Sequence, residues 1–157
     1  MTTDLIARLE ATSGGNSTLS WEIAEFLGWT TFWCGQTFYV PPGEVAEKIK
    51  REPMSVSIND LPDGTTLEPP RYTESLDAAM TLVPEHMDMY LTTRDNGFLG
   101  AHAMLFAPSH PIKSDMKLWG EAHLQTGERD PNDVRKHLAR ALCIAALKAR
   151  QLMETKI

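Results

Sequence analysis

Met87-Asp-Met-Tyr-Leu-Thr-Thr-Arg-Asp-Asn-Gly-Phe-Leu-Gly-Ala-His-Ala-Met-Leu-Phe106 sets the architecture of this chain. Asn96-Gly97 suits the positive dihedrals of a two-residue hairpin turn, and the flanking runs Met87 to Arg94 and Phe98 to Phe106 have strand composition. With that turn Asp95 opposes Phe98, and side-chain alternation assigns the faces. One face carries Met87, Met89, Leu91, Met104 and Phe106. The other carries Asp88, Tyr90, Thr92 and Arg94 beside Leu99, Ala101, Ala103 and Leu105. A third strand is expected at Lys117 to Gln125, with Leu118, Ala122 and Leu124 on one side and Trp119, Glu121 and His123 on the other.

Outward from this sheet the periodicity becomes helical. Val134, Leu138, Ala141, Leu142, Ala145, Ala149 and Leu152 form one apolar stripe behind Asp130-Pro131, a cap followed by a first-turn proline. Cys143, Ile144 and Leu147 lie round the back, so this helix needs cover on two sides: the sheet, and either the N-terminal helices or another subunit. Leu5 and Leu9 mark a first helix closing at Gly14-Gly15. Leu19, Ile23 and Phe26 mark a second, stopped at Gly28, and the two make a helical hairpin. Thr73 is the expected cap of a helix carrying Leu76, Ala79, Met80 and Val83 and ended by Pro84.

Between these helices, Trp29 to Val40 is an aromatic run broken by Gly35, read as a strand or a tight pair of strands. Six of the ten prolines fall between Pro41 and Tyr72. There Met54, Val56 and Ile58 alternate as an edge strand would, and Asp63-Gly64 is a turn signal. We read residues 1–157 as a single domain, with 41–72 a Pro-rich surface excursion within it.

The formal charge of -6 and pI near 5.3 argue against a nucleic-acid polymer as partner, which requires concentrated positive surface. No stretch approaches the ~20 apolar residues of a membrane span. Cys34 and Cys143 are the only cysteines and form no CxxC pair, which fits a reducing cytoplasmic compartment and no structural zinc. No internal repeat is present.

Tyr72-Thr-Glu-Ser-Leu-Asp-Ala-Ala-Met-Thr-Leu-Val-Pro-Glu85 and Leu138-Ala-Arg-Ala-Leu-Cys-Ile-Ala-Ala-Leu-Lys-Ala-Arg150 resemble the phage ABA-sandwich domain family. Leu9-Glu10-Ala11 and Ile23-Ala24, with Leu27-Gly28-Trp29, also fit its start. The insertion from Pro41 to Pro70 and the charged Gly127-Glu-Arg-Asp130 depart from its pattern. The resemblance implies an α+β fold, a three-layer α/β/α sandwich with a mainly antiparallel sheet, in a phage protein of the host cytoplasm. It implies no catalytic residue.

The residues themselves offer little catalysis. His86 and Asp88 share a strand face but are two ligands only, too few for a closed metal site. His102 reads as a buried, hydrogen-bonded histidine on the face of Leu91 and Met104. Neither His102 nor His123 is followed two residues later by Ser or Thr, as a two-histidine phosphoesterase requires. Cys143 sits within an apolar helix, and Gly14-Gly15 lacks a P-loop lysine.

Aromatic rings are the stronger signal. Trp29, Trp33, Tyr39, Tyr90 and Trp119 offer stacking faces, and Arg71 and Arg94 offer positive charge, the combination a nucleotide needs. The competing reading of such rings in a small domain is core. Together with the phage-family resemblance, which is what points to a host immune signal, these rings and charges set the expectation of a non-catalytic, homo-oligomeric protein that sequesters such a nucleotide-derived signal, with no cofactor and no metal. Its alternatives are an interaction module without a small ligand, or a hydrolase of such signals.

Overall fold

A computed structural model describes residues 2–12, 16–85, 87–95, 98–106, 118–125 and 137–155. The fold is α+β, and the described residues form five α-helices and two antiparallel sheets, of two and three strands. The chain forms two compact units, one of Met1–Leu19 with Arg71–Ile157, the other of Ser20–Pro70. No helix among the described residues is long and apolar enough to cross a membrane. The Gly14-Gly15 stop, His86, the Asn96-Gly97 turn and the Asp130-Pro131 cap lie outside the described residues.

In the first unit, β3 (Asp88–Asp95), β4 (Phe98–Phe106) and β5 (Leu118–Gln125) form an antiparallel sheet in the order β3-β4-β5. Next to the turn the expected register holds, with Asp95 opposite Phe98 and Arg94 opposite Leu99. It then shifts between Thr92 and Arg94. Beyond this irregularity Thr92 faces His102, Leu91 faces Ala103 and Tyr90 faces Met104. One extra residue on one strand exchanges the faces of everything past it. The face assignment from the turn alone is therefore corrected: Met89 and Leu91 share a face with Ala103 and Leu105, whereas Tyr90 and Thr92 share one with His102 and Met104.

The Ala103 face is the core face. Ala101, Ala103, Leu105, Ala122 and Leu124 are buried there, under the C-terminal helix α5 (Leu138–Thr155). Gly120 lets the helix approach, because a Cβ at that position would stand 2.0 Å from the Ala145 carbonyl oxygen. The back of α5 packs against α1 (Thr2–Ala11) and α4 (Leu76–Met80). Cys143, Ile144 and Leu147 are buried with the front stripe. The second cover that this helix requires comes from within the chain, and no second subunit is needed to provide it.

The α4 cap differs from expectation. Ser75, not Thr73, accepts from the Ala78 backbone N–H, and the helix ends at Met80. Thr73 is buried and makes a two-way link, its Oγ1 accepting from Asn16 N at 2.9 Å and donating to Asn16 O at 3.0 Å. Asn16 in turn caps α2 (Ser17–Phe26), its Oδ1 accepting from Leu19 N.

The second unit takes up most of α2, which ends as expected before Gly28 at φ 105°. The aromatic run forms a hairpin of β1 (Thr30–Trp33) and β2 (Thr37–Val40). Segment 41–72 carries α3 (Glu44–Arg51) and two 3-10 turns, at Pro53–Ser55 and Ile58–Asp60. Phe32, Val40, Ala46, Ile49 and Val56 bury against one another as its core. The expected edge strand at Met54 to Ile58 is corrected to these 3-10 turns, which leave Met54 98% exposed. Proline at 53 favours the turn, since it supplies a fixed φ and no ladder donor.

Candidate metal centre

The sheet face opposite α5 carries two cross-strand rows. Thr92, His102 and His123 stand opposite one another, and Tyr90, Met104 and Glu121 form the adjoining row. Alternation puts Glu121 and His123 on one side of β5, and the β4–β5 register sets His102 directly beside His123. The two imidazoles stack, with centroids 3.8 Å apart and planes at 25°.

Both rings aim Nε2 at one carboxylate oxygen. His102 Nε2 lies 3.0 Å from Glu121 Oε1, and His123 Nε2 lies 2.5 Å from the same atom. His102 is buried, as the sequence suggested; the Glu121 side chain is 33% exposed and that of His123 44%. The two donor nitrogens and the carboxylate oxygen all fall within 4.8 Å of one another. Burial pushes the Glu121 carboxyl up, but the hydrogen bonds from His123 and His102 and their charge outweigh it. The net effect holds the group below the usual carboxylate range.

With neutral rings and no ion, each Nε2–H donates to Oε1. A divalent ion can replace those protons: two imidazole nitrogens and a carboxylate are a donor set used by zinc and by non-haem iron, at about 2.0–2.2 Å per bond for zinc. Tetrahedral bonds of that length separate the donor atoms by roughly 3.3 Å, so the His102 and His123 nitrogens would draw back from Oε1 by about 0.3 and 0.8 Å to admit an ion. The β5 backbone beneath is anchored, because Lys148 Nζ donates to the Glu121 carbonyl at 3.2 Å and pairs with Glu10 at 3.1 Å.

The residues expected from the sequence to bind ligand are spread over both units. Trp29, Trp33 and Tyr39 belong to the second, where Trp33 is 72% exposed and Tyr39 meets Trp21 edge-on at 5.2 Å. Arg71 and Tyr90 belong to the first, both exposed. The side chains of Arg94 and Trp119 lie outside the described residues. Of this set, only Tyr90 has a described side chain on the His102–Glu121–His123 face. The centre itself was half visible as Glu121-x-His123 on one strand face; its third member comes from another strand. No protein-family model, curated protein or solved structure matches this chain.

Proposed function

We propose that this protein binds a divalent transition-metal ion through Nε2 of His102, Nε2 of His123 and the Glu121 carboxylate. One observation carries the reading: two stacked imidazoles converge on a single oxygen. Three ligands from one sheet face leave the outer side of the ion open, an arrangement suited to holding a further ligand.

Titration with Zn(II) and Co(II), followed by calorimetry and equilibrium dialysis, tests this. The expected result is one ion per chain at micromolar affinity or tighter, weakened about 100-fold or more in His102→Ala, His123→Ala and Glu121→Gln, since each removes or neutralises a ligand. Binding that survives all three substitutions overturns the proposal.

The narrower role expected from the sequence, sequestration of a nucleotide-derived signal by a phage protein, draws support from the exposed rings of Trp33 and Tyr90. Incubation with extracts of cells in which such signals are active, then heat release and mass spectrometry, tests that role. An intact nucleotide in the supernatant supports it, and its absence counts against it.

A further inference from the structure

We infer that the ion at His102, Glu121 and His123 takes its remaining coordination from a small oxyanion with a flat apolar body, lying across Met104 toward Tyr90. This rests on the metal reading above. A divalent ion held by two neutral imidazoles and one carboxylate keeps a net positive charge, so an anion is the favoured extra ligand. We take the remaining positions to open on the side of His123, the most exposed of the three side chains at 44%.

The surroundings then choose the body of that ligand. Met104 lies beside Glu121 on the adjacent strand and is half-buried; Tyr90 lies beyond it on β3 with 52% of its surface exposed. Strands are about 4.8 Å apart, so Tyr90 stands roughly 10 Å from β5, across an apolar thioether floor. A charged group on the metal would leave an attached ring over Met104 and against Tyr90, where aromatic contact and burial add to binding. Phosphate and carboxylate heads share the chemistry and are separated by experiment.

The test uses the full chain loaded with Co(II), whose visible bands report its ligands. Inorganic phosphate, phenyl phosphate, acetate and benzoate are titrated in turn. The expected result is a shift of the cobalt bands by the anions, with each ring-bearing anion binding at least 5-fold tighter than its ringless counterpart. Comparison of phenyl phosphate with benzoate identifies the preferred head. Tyr90→Ala should abolish the ring preference while leaving inorganic phosphate affinity and cobalt loading unchanged. Cobalt bands that form but move with no anion overturn this inference and leave the metal reading standing. Bands that move equally for ringed and ringless anions overturn the role of Tyr90 and Met104. Absence of cobalt bands overturns both readings.

Discussion

Gly120 of β5 lies against the Ala145 carbonyl of α5 so closely that a methyl group there would stand 2.0 Å from the oxygen and 3.1 Å from Ala149 N. The atoms met are helix backbone, which cannot rotate away as a flexible side chain can. Gly120→Ala must therefore lift the helix off the sheet or bend β5. We expect a loss of about 2 kcal/mol or more in urea unfolding, the scale of overpacking in a filled core. The same variant should weaken metal binding, because Glu121 and His123 follow on the displaced strand. Parental stability would refute the close approach.

Thr73 and Ser75 separate two kinds of hydrogen bond. Ser75→Ala removes a helix cap from a five-residue helix and should cost about 1 kcal/mol. Thr73→Val keeps the shape but leaves the Asn16 N–H without its hydroxyl acceptor, and the Asn16 carbonyl, which also receives the first helical N–H of α2, loses its second donor. An unpaired polar group of this kind costs roughly 1–3 kcal/mol. Chemical denaturation of the two variants should rank Thr73→Val as the more damaging. The reverse order would return the cap to Thr73.

Much of the fold was legible in residue order, and what was not has identifiable causes. Gly28 and Gly35 mark breaks that need positive φ, and both have it. The hairpin partners were legible because strand composition flanks a turn dipeptide. The irregularity between Thr92 and Arg94 was not, since a turn fixes register only near itself and one surplus residue reverses the remaining faces. His102 was hidden for a related reason. The link between β4 and β5 is too long for a turn to set their register, and only that register places His102 beside His123.

Arg140 is a buried cation, 4% exposed, whose Nη1 donates to Leu9 O near the C-terminal end of α1 at 3.3 Å. Its Nη2 donates to His137 Nδ1 at 3.4 Å, and its Nε has no partner among the described residues. Burial holds its pKa below the usual arginine range. A carbonyl at a helix end offers only part of a counter-charge. Arg140→Met, which fills much of the space without the charge, should cost less than about 1 kcal/mol or stabilise. Arg140→Ala leaves a cavity and should cost roughly 2–4 kcal/mol. Equal losses in thermal denaturation would show that the guanidinium bonds outweigh desolvation.

The two cysteines should react in sequence. Cys143 is buried, its thiol donates to Tyr72 O at 3.1 Å, and burial pushes its pKa strongly up. Cys34 is exposed in the β1–β2 connection. A thiol reagent should modify one site per folded chain and two after denaturation, because the thiolate is the reactive form. Rapid double labelling of the native protein would contradict the burial of Cys143.

Glu121 ties stability and metal binding to pH in the same direction. Its carboxyl is lowered in the folded chain, so the stability it contributes is present above the usual carboxylate range and is lost as pH falls through the lowered value. Glu121→Gln should flatten the acid limb of a stability profile recorded without metal. Metal binding adds a second dependence, because imidazole ligands coordinate only when neutral. From about pH 7 to about pH 5 the rise in Tm produced by Zn(II) should shrink, and at micromolar Zn(II) it should be largely lost in His102→Ala throughout that range. A Zn(II) effect that persists in His102→Ala would place the ion elsewhere, whereas one that disappears there but ignores pH would mean the rings do not contribute neutral nitrogen.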